Sequence, residues 1–196
     1  MGAWPVKEIL SAIAILLTLA AFIPYIRAIL SGMIRPHLFS WIIWGSTTFI
    51  VFLAQLDAEG GVGAWPIGVS GIMTLFIALL AYVKRADLSI TLTDWTFLAA
   101  AFCSLPLWYL GSDPLWAVVV LTTVDLLGFG PTVRKAYRFP QSESLLFFSL
   151  FAIRNILAVL ALETYTLTTV LFPAAIAVAC LSLISLVVYR RRAMTG

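Results

Sequence analysis

The chain has 196 residues, of which 62% are hydrophobic and only 11% are charged. A soluble domain carries roughly 25% charged residues, so this composition excludes most water-soluble folds and favours a protein embedded in a bilayer. The formal net charge of +3 then reports on membrane topology, and we expect no nucleic acid partner. Cys103 and Cys180 lie inside apolar runs, so the sequence does not indicate a disulfide framework.

Seven apolar segments are long enough to cross a membrane, because a hydrocarbon layer of about 30 Å requires about 20 helical residues. In chain order they cover residues 6–30, 37–56, 62–84, 92–110, 114–134, 142–162 and 166–189. Glycine, proline and charged residues mark the short breaks between them. The fourth segment, unlike a uniformly apolar span, has Asp94, Pro106 and Gly111 near its ends. The sequence therefore predicts an all-α polytopic membrane protein with seven transmembrane helices.

The basic residues collect on one predicted face of the membrane. Seven crossings place the termini on opposite sides, and ten of the twelve lysines and arginines fall on the side of the C-terminus. Lys7 lies on the other side and Arg154 lies within a span. By the positive-inside rule we expect a cytoplasmic C-terminus and an external N-terminus, in a prokaryotic plasma membrane. The last basic run, 190–192, is then a stop-transfer cluster.

An internal repeat emerges when the chain is shifted by 107 residues, which superposes 22–85 on 129–192 without a gap. The informative matches place Phe22, Pro24, Arg27, Pro66 and Tyr82 on Phe129, Pro131, Arg134, Pro173 and Tyr189. The shift carries the first three helices onto the last three and leaves the fourth without a counterpart. We therefore predict two parallel three-helix repeats, 1–85 and 112–196, joined by a linker helix within 86–111.

This three-plus-one-plus-three arrangement, with a proline late in the first helix of each triplet and a short basic loop after it, resembles the SWEET sugar transporters and the wider PQ-loop (MtN3-like) clan. The resemblance covers essentially the whole chain and implies alternating access with Pro24 and Pro131 as hinges. An ordinary proline kink is the alternative interpretation. The family has a glutamine after each of these prolines, where this chain has Tyr25 and Thr132. A sugar substrate is therefore not carried over.

Two charged side chains lie deep within predicted spans. Asp125 is on the fifth helix and Arg154 lies midway along the sixth, where insertion costs about 3 kcal/mol for each charge. Because these helices are consecutive and antiparallel, we expect the two side chains to pair. In a functional site, Arg154 would bind an anionic or carbonyl-bearing substrate, and Asp125 would be its counter-charge or a proton carrier. The alternatives are a structural ion pair and a snorkelling arginine.

The repeat also predicts a polar layer at one level of both halves, flanked by tryptophans on the second helix. The candidate substrate-binding residues are Tyr25, Trp44, Ser46, Thr47, Thr48, Ser70, Asp125, Arg154 and Asn155. Such a layer suits a small polar metabolite that is hydrogen-bonded and stacked. Back-bonding to helix carbonyls is the alternative for serine and threonine, and helix packing is the alternative for Ser70 with Gly68 and Gly71. The alternative for Trp41 and Trp44 is an interfacial belt, which is the simplest interpretation of Trp4, Trp65, Trp95, Trp108 and Trp116.

The sequence lacks the residues that several classes of chemistry require. His37 is the only histidine and lies at a loop edge, so we expect no metal site, no cofactor and no enzymatic activity. The sequence predicts a membrane carrier that moves a small polar metabolite, such as a sugar, amino acid, carboxylate or vitamin precursor, by rocking two triplets around a midplane site. One alternative is a membrane receptor of the same fold that binds a ligand or peptide without transport. Another is a lipid-handling accessory protein. An oligomer is compatible with each.

Overall fold

The computed structural model describes residues 4–33, 36–84, 92–111 and 114–195. Within these ranges the chain forms eight α-helices: α1 (Trp4–Leu30), α2 (Leu38–Asp57), α3 (Trp65–Val83), α4 (Leu92–Gly111), α5 (Leu115–Gly128), α6 (Gly130–Arg138), α7 (Leu145–Ala161) and α8 (Leu167–Thr195). Short 3-10 helices at Gly61–Ala64 and Pro140–Ser142 precede α3 and α7. The predicted all-α class is confirmed. Each predicted span overlaps one helix, except the fifth, which overlaps α5 and α6.

Among the residues that the structure describes, five helical segments are long and apolar enough to cross a membrane: Val6–Leu30, Leu38–Asp57, Gly61–Val83, Leu115–Arg138 and Leu167–Met194. The α7 helix is apolar but has only 17 residues. The α4 helix has 20 residues but is not among the five. It corresponds to the fourth predicted segment, which has Asp94 near its start. These helices are compatible with a membrane protein, whereas the count of seven crossings stays a prediction.

The two predicted hinge prolines lie in different local structures. The α1 helix continues through Pro24, whereas α5 ends just before Phe129 and α6 begins at Gly130, next to Pro131. At this break the Phe129 N–H donates to the Leu126 carbonyl at 3.1 Å, a tighter connection than an α-helical one. A glycine precedes the second proline where an isoleucine precedes the first, and a Gly-Pro pair interrupts a helix more readily than proline alone.

The helices form two groups that share one packing pattern. We call α1–α3 the first triplet and α5–α8, with α5 and α6 as one span, the second triplet. The α3 helix packs against both α1 and α2, and α8 packs against both α5 and α7. Between the triplets, α1 packs on α7 and α2 packs on α5, while α4 lies against α2 and α5.

Small residues bring α2 and α3 close together. A Cβ atom placed on Gly71 would lie 3.0 Å from the backbone nitrogen of Phe49, and one placed on Gly68 would lie 2.9 Å from the Phe52 ring. Both distances leave no room for a side chain, so these glycines serve helix packing. Ser70, between them in sequence, faces the interior of the molecule and is only 3% exposed.

The end of the bundle where α1, α3, α5 and α8 begin, which we call the N-terminal face, is closed by contacts between the triplets. The Lys7 ammonium donates to the Leu162 carbonyl at 2.7 Å. The buried Gln55 amide donates to the Thr169 carbonyl at 2.7 Å. Gly63 lies so close to the backbone after α7 that an added Cβ atom would be 2.6 Å from the Cα of Leu162. Direct backbone contact therefore seals this face.

The opposite end, the C-terminal face, holds the arginine run that follows the last predicted span. Arg190 donates to the Tyr137 carbonyl at 3.0 Å, and its guanidinium lies 4.2 Å from the centre of the Tyr137 ring. Arg191 donates to the carbonyls of Pro140 and Glu143. These arginines therefore anchor the connection between α6 and α7, in addition to the topological role expected from the sequence.

Candidate functional site

A cavity of about 270 Å³ lies between the two triplets, and α1, α2, α3, α5, α6, α7 and α8 all contribute to its wall. Half of its lining residues are aromatic, and the polar remainder includes one carboxyl group and one guanidinium group. Trp41, near the start of α2, and Phe147, near the start of α7, both line the cavity. Because α2 and α7 begin at the C-terminal face, the cavity extends towards that face. The sealed N-terminal face lies at the other end.

Six of the nine predicted binding residues line this cavity: Tyr25, Trp44, Thr48, Ser70, Asp125 and Arg154. The other three lie outside its wall. Asn155 is fully buried, and its side-chain amide donates to the Phe151 carbonyl at 2.8 Å. The acceptor lies one turn earlier on the same helix, so Asn155 bonds its own helix backbone, as was considered above for serine and threonine. Ser46 is half-buried, and Thr47 is buried behind the wall. The predicted polar layer is therefore partly a cavity-facing surface and partly a packing layer.

Asp125 on α5 is held by α2. The Thr47 hydroxyl lies 2.7 Å from Asp125 Oδ1 and 3.0 Å from the Trp44 carbonyl, and Asp125 is only 8% exposed. A hydroxyl that donates to a buried carboxylate fixes its direction and offsets part of its desolvation. Thr47 thus positions Asp125, whereas it was predicted from the sequence to contact the ligand itself.

Arg154 on α7 turns towards α3. Its Nη1 donates to the Pro66 carbonyl at 3.1 Å, and its guanidinium lies 4.7 Å from the centre of the Phe151 ring. The side chain is 2% exposed, and no described group accepts a hydrogen bond from its Nε. Arg154 therefore enters the cavity with unused donor capacity.

The expected pairing of Asp125 with Arg154 is not formed among the described residues. Each side chain has another partner, Thr47 on α2 for the carboxylate and Pro66 on α3 for the guanidinium. The helices are antiparallel as predicted, but α8 packs between α5 and α7, which separates the two side chains. Two opposite charges therefore line one cavity without neutralising each other directly.

Aromatic rings in contact with one another form much of the wall. Trp41 lies 5.1 Å from Tyr25 and 5.8 Å from Trp44, measured between ring centres. Phe151 stacks on Phe147 at 4.6 Å and lies 5.7 Å from Phe22, which packs with Tyr25 and Trp41. Trp41 and Trp44 therefore face the interior, and the belt interpretation does not apply to them. Of the predicted belt residues, Trp65, Trp95 and Trp116 are more than half exposed, and the side chains of Trp4 and Trp108 lie outside the described residues.

The cavity wall contains residues matched by the sequence repeat. In four pairs of lining residues the two members are 107 positions apart, which is the shift that superposes 22–85 on 129–192. The pairs are Phe22 with Phe129, Tyr25 with Thr132, Trp41 with Phe148, and Trp44 with Phe151. Equivalent positions of the two triplets thus face the same space.

Tyr25 and Trp44 were predicted from the sequence, whereas the phenylalanines and the apolar residues of the wall were not. Phe172, Ile176 and Cys180 line the cavity from α8 at intervals of four residues, and Phe147 and Phe151 do so from α7. Residues four apart share a helix face, so this spacing was a usable signal once Arg154 defined the inner face of α7. In an apolar helix, however, the same spacing is also produced by lipid-facing residues.

The cavity offers a guanidinium for an anion, a carboxylate for a cation, hydroxyls for hydrogen bonds and rings for stacking. In the described part of the chain, no three histidine, cysteine or acidic side chains come together as metal ligands would. Comparison of the chain with protein-family models, with curated proteins and with solved structures finds no match.

Proposed function

We propose that the protein is a membrane carrier that binds a small polar metabolite between its two triplets and moves it by alternating access. One observation carries the proposal: a cavity between the triplets holds a buried carboxyl group and a buried guanidinium group that are not paired with each other. An ionised group within a membrane span is costly, and such groups mark substrate pathways and binding sites. A bound polar solute would supply the missing partners.

The packing supports a SWEET-like arrangement of two parallel repeats. Exchanging α1 with α5, α2 with α7 and α3 with α8 turns each observed pairing among these six helices into another observed pairing. In particular, the α1–α7 contact becomes the α5–α2 contact. A pseudo-twofold axis along the membrane normal requires this behaviour, and parallel repeats of this kind place the substrate at their interface. The four matched pairs in the cavity wall agree with such an axis.

The conformation agrees with one state of an alternating-access cycle. The Lys7–Leu162 and Gln55–Thr169 hydrogen bonds close the N-terminal face, while the cavity extends towards the C-terminal face. We propose that the C-terminal face is cytoplasmic in a prokaryotic plasma membrane, which makes this the inward-facing state.

A fluorescent protein fused after the last residue is expected to fluoresce and a periplasmic phosphatase fused there to be inactive. The reverse pattern would contradict the orientation.

The experiment that tests the carrier is solute counterflow in liposomes containing the purified protein. Labelled sugars, amino acids, carboxylates and vitamin precursors are first screened for a rise in the melting temperature of the protein. A solute that stabilises it is then expected to exchange across the membrane. Stabilisation without exchange would identify a receptor of the same fold, and no stabilisation by any class would reject the site.

A matched pair of variants locates the binding site. Ser70→Leu places a larger apolar side chain in the cavity wall, so we expect ligand stabilisation and exchange to fall at least tenfold. Trp116→Leu changes a residue that is 61% exposed on α5 and is expected to leave both unchanged. If Ser70→Leu retained full exchange, the ligand would bind elsewhere.

A further inference from the structure

We infer that the substrate is a zwitterion with an aromatic or apolar body, whose ammonium group faces Asp125 and whose carboxylate faces Arg154. This inference rests on the proposed function, because it assigns the substrate class of the same cavity. It follows from the two unpaired charges, the rings around them and the volume of the cavity.

The Asp125 end of the cavity is suited to an ammonium group. Oδ1 accepts from Thr47, and no described group donates to Oδ2, which leaves this oxygen for a ligand. The Trp44 indole packs on the backbone of Gly128, one helical turn from Asp125, so close that an added Cβ atom would lie 2.8 Å from its Nε1. Trp44 and Asp125 both line the cavity, so a ligand cation there can contact an aromatic ring as well as a carboxylate.

The Arg154 end of the cavity is suited to a carboxylate. The Nη1–Pro66 bond fixes the guanidinium, while Nε is buried and has no acceptor in the described structure. A guanidinium fixed in this way presents its remaining N–H groups in one plane, and this arrangement matches the two oxygens of a carboxylate.

The combination of the two ends selects among the candidate solutes. A neutral sugar would leave both charges without a counter-ion, and an amine or a carboxylic acid would compensate only one of them. A zwitterion places an opposite charge beside each of them. The rings of Phe22, Phe147 and Phe151 adjoin the Arg154 end and provide a surface for a ring or a branched chain. A cavity of about 270 Å³ is at the lower end of ligand pockets, which suits a solute with one ring.

The test compares three ligands that share one body. L-phenylalanine carries both charges, 2-phenylethylamine lacks the carboxylate, and 3-phenylpropionate lacks the ammonium group. We expect the unmodified protein to bind L-phenylalanine at least tenfold more tightly than either analogue. The series L-leucine, 3-methylbutylamine and 4-methylpentanoate repeats the comparison with a branched body. Because this comparison uses the unmodified chain, it does not depend on the folding of any variant.

Two variants assign each charge to its residue. Arg154→Gln is expected to remove the preference for L-phenylalanine over 2-phenylethylamine and to keep the preference over 3-phenylpropionate. Asp125→Asn is expected to do the opposite. Thr123→Val alters an exposed residue two positions before Asp125 and is the matched control, with both preferences intact.

The outcomes separate the inference from the proposed function. Equal affinity for the zwitterion and its analogues in both series, or no binding of either zwitterion, overturns the inference. If the protein instead exchanges a sugar, the inference fails and the carrier stands. If a zwitterion binds with the expected dependence on charge but does not exchange, the inference stands and the carrier fails.

Discussion

Replacing Arg154 by alanine is expected to lower the exchange of the transported solute by about tenfold to a hundredfold. A hydrogen bond to a charged group contributes about 1.5–3 kcal/mol, and each 1.4 kcal/mol corresponds to a factor of ten in affinity. The substitution removes the guanidinium from the cavity wall and leaves the Pro66 carbonyl without its donor. The measurement is counterflow in liposomes at several concentrations of solute, which separates a loss of affinity from a loss of rate.

The control for Arg154→Ala is Ile153→Ala. Ile153 precedes Arg154 on α7, is 48% exposed and lies outside the cavity wall. This variant loses apolar surface on the lipid side, so its exchange is expected to match that of the unmodified protein. Full exchange by Arg154→Ala in folded protein would show that the guanidinium has a structural role only.

Replacing Gly63 by valine is expected to reduce exchange to background in protein that remains helical and monodisperse. An added Cβ atom would overlap the backbone of Leu162, so the side chain acts as a wedge between the triplets at the N-terminal face. Overpacking of this kind costs about 1–3 kcal/mol, which shifts an equilibrium between two states by about 5-fold to 150-fold. The carrier would then be held open at that face and unable to complete its cycle.

Ala12→Val is the control for the wedge. Ala12 lies on α1 and its side chain is exposed, so the larger side chain introduces no steric clash there. Exchange by this variant is expected to stay within about twofold of the unmodified protein. If Gly63→Val exchanged solute at the normal rate, contact at the N-terminal face would not be part of the transport cycle.

The helices were predictable because bilayer length and break residues determine them locally. The first span was expected at 6–30 and the helix covers Trp4–Leu30, and the second was expected at 37–56 and covers Leu38–Asp57. The fifth span was expected at 114–134 with a hinge at Pro131, and the chain there forms α5 and α6 with Phe129 between them. The Gly-Pro pair there was visible in the sequence, but a proline alone is tolerated within a helix, as Pro24 is.

The site was predictable where a residue type is rare in a span. Asp125 and Arg154 stand out in apolar helices, and both line the cavity. Their separate partners were not predictable, because the position of α8 between α5 and α7 depends on tertiary packing. Nor was the role of Thr47, since a threonine in a helix bonds its own backbone as readily as it bonds a neighbouring helix.

The aromatic wall was the least predictable part of the site. The chain has 13 phenylalanines, and composition alone does not separate those that face a cavity from those that face lipid. The repeat carries more information, because Trp41 and Trp44 were recognised as candidates and their counterparts at Phe148 and Phe151 line the same space. Applying the 107-residue shift to every candidate would have placed these two rings in the site.

The most direct measurement of the central claim is the sidedness of a cysteine in the cavity. Ser70→Cys is made in a chain with Cys103→Ser and Cys180→Ala and is tested in right-side-out and inverted vesicles with a membrane-impermeant maleimide. For an alternating-access carrier we expect labelling from the C-terminal face, slower labelling from the N-terminal face, and protection from both sides by the transported solute. Labelling from one side only, unaffected by every solute that stabilises the protein, would contradict an alternating cavity between two triplets.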